Sequence, residues 1–226
     1  MKVLSYNELV AQEDGKHVQR GMNFGIMGSY SIVLMSTERN APYNDKMLDD
    51  GIIEYEGHDA PASREYDKKK IDQPFRTSSG KLTENGKFFT AVDEFKSGVR
   101  QSAKVKVFRK IRPNVWVDMG LYDLVDCYIV SDGNRNVFKF VLKPDLTEEP
   151  YHDLPLVDLA HNRQIPGDIQ CEVYERDEGK CRICGASDNL HFDHIIPFSK
   201  GGSSKVSSNI QLLCARHNLQ KGAKFQ

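Results

Sequence analysis

The stretch Cys181-Arg-Ile-Cys184, Leu190-His191-Phe192-Asp193-His194-Ile195-Ile196-Pro197, Asn209 and Cys214-Ala-Arg-His217-Asn218-Leu-Gln-Lys221 decides how this chain is read. Cys181 and Cys184 are separated by two residues, and so are Cys214 and His217. That gap lets both ligands of a turn reach one tetrahedral ion, so the two pairs predict a zinc site of three thiolates and one imidazole. Four protein ligands leave no open position, which makes the zinc structural, a staple for a segment too short to build a large core of its own. Inside the loop they close, Leu190 to Ile196 alternates as a strand does. Pro197 ends the strand, and Ser199-Lys200-Gly201-Gly202-Ser203 is a turn signal. Asn209-Ile-Gln-Leu-Leu leads into the second pair, and Ala215 to Lys224 suits a helix. The expectation is a hairpin followed by a helix, clamped by Zn2+.

On these residues, Val173 to Phe225 resembles the HNH nuclease family, whose fold is the ββα-metal motif. The resemblance implies a role for each matching position. His194 would be the general base that takes a proton from water, work for which an imidazole suits. Asn209 would hold the His194 ring through a hydrogen bond. Asp193 and Asn218 would ligate one divalent cation through oxygen, Mg2+ or Mn2+. Lys221 would contact a phosphate. The family's second knuckle is commonly Cys-x-x-Cys, so His217 is a departure. Taken without the frame, His191 is a plain strand neighbour and Asn209 a turn residue. Cys127 and Cys171 have no partner at ligand spacing and read as packed thiols.

A chain of 226 residues holds one large or two modest domains. No apolar run is long enough to span a bilayer, and Met1 to Glu8 lacks the hydrophobic segment of a secretory signal. Thiols and zinc then fit a reducing cytoplasm, with no membrane partner. The net charge of −1 conceals an asymmetry. Residues 38–60 carry seven acids against Arg39 and Lys46, whereas residues 61–113 carry fourteen Lys/Arg against six Asp/Glu. A basic tract of this kind is a footprint for phosphate, although alone it is more often a solvated face.

The chain before the nuclease reads as β-rich. Candidate strands are Tyr30 to Met35, Ile52 to Glu56, Val105 to Ile111, Asp123 to Val130 and Val137 to Leu142. Asn7 to Glu13 and Asn85 to Lys96 carry helical signals; Phe88, Phe89, Val92 and Phe95 of the second read as core. A polar segment with Pro144, Pro150, Pro155 and Pro166 marks a boundary. The division is 1–150, a linker at 151–168, and 169–226.

The first region, about residues 19–143, resembles a second family through Gly28-Ser-Tyr30-Ser-Ile-Val-Leu-Met35, Tyr43-Asn-Asp45, Asp50-Gly51-Ile-Ile-Glu-Tyr55-Glu56-Gly57, Val105-Lys-Val-Phe-Arg109 and Met119-Gly120-Leu-Tyr122. This is the SRA (SET- and RING-associated) family, PUA-like curved barrels that rotate a modified cytosine out of DNA into a pocket. The fold class implied is therefore α+β: an SRA-like curved β-barrel with flanking helices, then the ββα-metal domain. Tyr43 and Tyr55 would stack on the base, and Asp45 would accept from its exocyclic amine. Glu56 stands where the family has a small polar residue. Arg76, Lys81 and Lys87 would approach the DNA backbone. The plain alternative makes Tyr43 and Tyr55 ordinary barrel residues and Asp45 a turn cap.

Joined, the two resemblances imply an endonuclease that finds 5-methylcytosine or 5-hydroxymethylcytosine in double-stranded DNA and hydrolyses a nearby phosphodiester. One site per chain implies a homodimer for double-strand cleavage. The alternatives are an HNH nuclease directed to unmodified DNA or RNA, a non-catalytic binding module, and a protein-interaction domain.

Overall fold

Strand β7 (Val115–Ser131) is the longest element among the described residues. The computed structural model describes residues 1–13, 18–38, 40–145 and 163–223. Of the expected linker, residues 151–162 lie outside the described residues. By internal contact the described residues form two units. One, the sheet unit, draws on residues 10–109 and 120–146. The other, the hairpin unit, draws on 1–9, 110–119 and 147–226.

The sheet unit is built on β2 (Met22–Asn23), β3 (Ser31–Ser36), β4 (Lys46–Met47), β5 (Ile53–Glu56), β6 (Ala103–Arg112), β7 and β8 (Asn136–Pro144), in the order β2-β3-β6-β7-β8-β5-β4. The expected barrel is corrected here to an open sheet: among the described residues no pairing joins β2 to β4. The class is α+β, as read from the sequence. The expected strands become β3, β5, β6, β7 and β8, each shifted by a few residues at its ends, and β7 starts at Val115 rather than Asp123. A bulge between Leu124 and Asp126 bends β7 against β8.

Helix α2 (Glu84–Lys96) is capped by Thr83, whose side chain accepts from the Gly86 N–H. Gly86 has to be glycine, because a Cβ there would lie 2.3 Å from the Phe75 carbonyl oxygen. The helix turns Phe88 and Phe89 toward β8, where their rings meet Phe140 at 5.6 Å and Phe138 at 6.0 Å. Phe88 and Val92 are thus core, as their helical spacing predicts, whereas Phe89 and Phe95 are half-buried. In β5, alternation sends Ile53 and Tyr55 into the core and leaves Glu54 and Glu56 on the opposite face. That parity decides the cavity described below.

In the hairpin unit, β9 (Leu190–His194) and β10 (Ile210–Cys214) pair antiparallel, with Gln211 opposite Asp193 and Leu212 opposite Phe192. Directly opposed residues share a face, so Phe192 and Leu212 fill the core while Asp193 and Gln211 project from the other side. Helix α4 (Ala215–Lys221) follows β10 without a gap. Helix α3 (Gly167–Arg176), absent from the sequence expectation, buries Val173 and Gln170. The chain start joins this unit. Strand β1 (Val3–Ser5) pairs with Val115–Val117 of β7, and Lys2 bridges to His191. No helix among the described residues is long and apolar enough to cross a membrane.

Candidate functional site

The four expected zinc ligands converge. The donor atoms of Cys181, Cys184, Cys214 and His217 all lie within 4.8 Å of one another. His217 Nδ1 is 3.4 Å from Cys181 Sγ and 3.3 Å from Cys214 Sγ, and the Cys184 and Cys214 sulfurs are 3.9 Å apart. A tetrahedral ion with Zn–S of about 2.3 Å and Zn–N of about 2.0 Å has edges of roughly 3.8 Å between sulfurs and roughly 3.5 Å from sulfur to nitrogen. The cluster therefore fits Zn2+, the departure at His217 included. Burial raises the Cys181 thiol, but the backbone N–H groups of Cys214, Cys184 and Ile183, helped by His217, outweigh it and bring it down to about 6. That favours the thiolate a metal requires.

His194 ends β9, with its Nε2 2.8 Å from Ser204 Oγ. Burial first, and the Arg163 guanidinium second, push the imidazole down to about 4 against the opposing pull of Asp193. The ring is therefore neutral near pH 7, the state a proton acceptor needs. Asn209 does not hold this ring. Its Oδ1 accepts from the Ile196 N–H at 2.8 Å, and its Nδ2 donates to the carbonyls of Ile196 (3.2 Å) and Ser203 (3.0 Å). The expected His194 contact is corrected accordingly. Asn209 pins the loop that follows β9, and Ser204 meets the imidazole. Gly202 completes the loop, since a Cβ there would sit 1.8 Å from the Ile196 carbonyl oxygen.

Asp193 Oδ2 lies 2.9 Å from Lys221 Nζ and accepts from Gln211 Nε2 at 3.2 Å. Lys221 also donates to the His194 carbonyl at 2.6 Å. It is buried rather than free for a phosphate, which corrects its expected role. Asp193 Oδ1 and the Asn218 amide have no hydrogen-bond partner among the described residues. Hard oxygen donors left open in this way fit Mg2+ or Mn2+.

The sheet unit holds a cavity of about 770 Å³ whose lining includes Tyr43, Asp45, Glu54, Glu56, Arg135 and Lys139. Three of the four expected pocket residues share it. Tyr55 does not line it: strand parity turns this side chain into the core, where its hydroxyl is 3.3 Å from His58 Nε2. The Tyr43 ring stacks on His58 with centroids 5.5 Å apart, and the Lys69 ammonium is 4.5 Å from its centre. Asp45 accepts from the backbone N–H groups of Ser36 and Glu56, each at 3.0 Å. Burial pushes its carboxyl up to about 7 despite those two bonds. Glu56 is held by Lys139 at 3.0 Å, and that lysine also donates to the Asn44 carbonyl.

The expected DNA-backbone residues divide. Lys87 is paired with Glu84, whereas Arg76 and Lys81 are exposed at the base of a turn closed by a bridge between Arg76 and Leu82. Arg76 donates there to the Gly80 carbonyl at 2.8 Å.

Residues 181–224 match the HNH endonuclease family. No curated protein matches the chain. Among solved structures, it is similar to the SUVH5 SRA domain in complex with methylated CHH DNA, with a TM-score of 0.44 and 19% identity over 63% of this chain and 84% of that one. It is similar to the same domain bound to fully hydroxymethylated CG DNA, with a TM-score of 0.44 and 20% identity over 65% and 89%. A third likeness is to ScoMcrA, a type IV phosphorothioation-dependent restriction endonuclease, with a TM-score of 0.42 and 13% identity over 99% of this chain. The chain spans 52% of that protein. The matched segment starts at the first knuckle and includes neither α3 nor β1. Within it, the sequence reading missed Ser204 and Gln211. The opposition of Gln211 to Asp193 follows from strand register alone and was open to inspection. Ser204 sits in a Gly-Gly-Ser-Ser turn whose path no periodicity predicts.

Proposed function

We propose that this protein is a modification-dependent DNA endonuclease. One observation carries the hydrolytic half: a neutral His194 imidazole, engaged at Nε2 by Ser204, stands next to Asp193, whose Oδ1 is open. In the tautomer that carries its hydrogen on Nε2 and donates it to the serine hydroxyl, Nδ1 is the nitrogen left to take a proton from a water attacking phosphorus. Asn209 and Gly202 keep the loop behind the ring in place. Asp193 and Asn218 would hold a divalent cation, which supplies charge stabilisation to the phosphorane and the departing oxygen. The zinc cluster holds hairpin to helix and takes no part in the chemistry.

The recognition half rests on the sheet unit's cavity. Asp45 offers its carboxyl to the Watson–Crick edge of a cytosine rotated out of the duplex, and Tyr43 offers a ring face. The exposure of Arg76 and Lys81 on one turn supports reading them as contacts to the DNA backbone. Two chains, each nicking one strand, would make a double-strand cut, so a homodimer is the working assembly. The absence of Tyr55 from the cavity wall favours a second reading, an HNH nuclease that reads unmodified DNA or RNA.

The deciding experiment digests plasmids identical except at cytosine C5 (bare, methylated or hydroxymethylated) with Mg2+ or Mn2+ and with EDTA. Cleavage confined to modified plasmids in the presence of metal is the expected result. Equal cleavage of all three would discard the recognition half and leave the nuclease.

A further inference from the structure

Asp193 is gripped on one side only. Gln211 and Lys221 both donate to Oδ2, at 3.2 and 2.9 Å, while Oδ1 has no partner among the described residues. Both donors are buried, and they come from different elements, β10 and α4. Lys221 is anchored a second time through the His194 carbonyl at 2.6 Å, so one ammonium fixes a carboxylate and the backbone of the neighbouring imidazole. This is more than a surface ion pair requires. Two buried donors on a single oxygen set both the torsion of the carboxylate and its denticity.

We propose that Lys221 and Gln211 are positioning residues that make Asp193 a one-oxygen metal ligand, and so select a small octahedral cation over Ca2+. The inference rests on the reading of Asp193 as a metal ligand. Mg2+ and Mn2+ sites take carboxylates through one oxygen in tight octahedral geometry, whereas Ca2+ accepts bidentate carboxylates and irregular shells at longer distance. Occupying Oδ2 closes the bidentate mode. Lys221 in addition places a positive charge beside the site and lowers its affinity for every cation. The selectivity ratio, rather than an absolute affinity, therefore reports the positioning.

The test measures Mn2+ and Ca2+ binding to the full chain without DNA, by calorimetry and by the electron paramagnetic resonance signal of free Mn2+. Gln211→Leu and Lys221→Met are expected to shift the ratio of the Mn2+ to the Ca2+ association constant toward Ca2+ by about tenfold, with bound zinc unchanged. Lys221→Met removes the cation of a buried pair and lowers stability. Gln211→Leu is the gentler variant and decides the matter if the first does not fold. Asp193→Asn separates the two levels of the argument. If it weakens Mn2+ binding while a folded Gln211→Leu keeps the wild-type ratio within twofold, the positioning role is overturned and the metal reading stands. If Asp193→Asn binds Mn2+ as the wild type does, the ligand assignment falls and takes this inference with it.

Discussion

In the hairpin unit, the four candidate zinc donors, the proposed base and the candidate metal ligands all lie between residues 181 and 221, on the knuckle before β9, the hairpin and the helix that follows it. In the sheet unit, the cavity wall takes Asp45 from before β4, Glu54 and Glu56 from β5, and Arg135 and Lys139 from around the start of β8. The first site is written in short spacings. A two-residue gap brings donors together whatever surrounds it, and the helix starts one residue after Cys214. The second exists only once strands far apart in the chain have paired. A site of the first kind survives rough reading; a site of the second kind depends on which face of each strand looks outward. Tyr55 and Glu56 are neighbours in sequence, yet the parity of one strand puts them on opposite sides of a sheet.

The largest effect that tests this contrast comes from the zinc cluster. If short-range ligation holds the hairpin unit together, Cys184→Ser will release the metal and abolish the cooperative thermal transition of that unit. Structural zinc contributes on the order of 10 kcal/mol to comparable small motifs. The sheet unit, with its own aromatic core, should keep a transition of its own. Calorimetry together with metal analysis of the purified variant checks this, and a single unchanged transition with zinc lost would break the comparison.

The legibility of the chain follows the same division. The five expected strands and the two helices, α1 (Tyr6–Gln12) near Asn7 and α2 near Asn85, were visible because alternation and helical spacing are local properties, and so were the four candidate zinc ligands. The grouping of residues 1–9 and 110–119 with the hairpin was not, because β1 finds Val115–Val117, and Lys2 finds His191, through backbone pairing at long range. Neither was the burial of Lys221. An Asn-x-x-Lys helix end looks solvated in sequence, and only the packing of α4 against β9 directs the ammonium to Asp193 and the His194 carbonyl. Asn209 was noticed for its position and misread in its partner, because an amide able to cap a loop backbone is indistinguishable in sequence from one that orients a ring.

Next in size is the proposed base, His194. His194→Ala should lower the cleavage rate by a factor of about 10²–10⁴ while leaving DNA affinity, measured by gel shift, within threefold. Loss of binding in step with loss of cleavage would mean that recognition is not separate from the hairpin unit.

On the sheet unit's side, the informative change is Asp45→Asn with stability followed against pH. The Asp45 carboxyl is raised to about 7 in the folded protein, chiefly by burial. Between its unfolded value near 4 and that figure, the folded state binds more protons than the unfolded one. Stability must therefore fall as pH rises through this window and level off above it. Glu56 and Lys139 face the same carboxyl and remain in the variant. The wild type should lose on the order of 2–4 kcal/mol of sheet-unit stability from pH 4 to pH 7 that Asp45→Asn does not lose. Parallel curves would remove the case for a desolvated carboxyl in that cavity. In DNA binding, the same variant should lose its preference for modified over bare cytosine without any change in metal affinity.

The smallest expected effect concerns Ser204, which ties the loop after β9 to the chemistry of the base. Its hydroxyl is the only side-chain group that the His194 ring meets at hydrogen-bond distance among the described residues, at 2.8 Å. A neutral hydrogen bond of this kind contributes about 1 kcal/mol, which bounds what orientation alone can supply to roughly a fivefold change in rate. Ser204→Ala should therefore lower kcat a few-fold, leave KM and Mn2+ affinity where they are, and recover with Ser204→Thr, which keeps the hydroxyl. A fall of a thousandfold would mean that the serine reaches the reacting water or phosphate itself. No fall at all would mean that the packing around the half-buried ring, including Phe198 at 5.9 Å, suffices to aim Nδ1. The second result would move the origin of orientation from a hydrogen bond to packing, and the first would replace orientation with a chemical role for the serine.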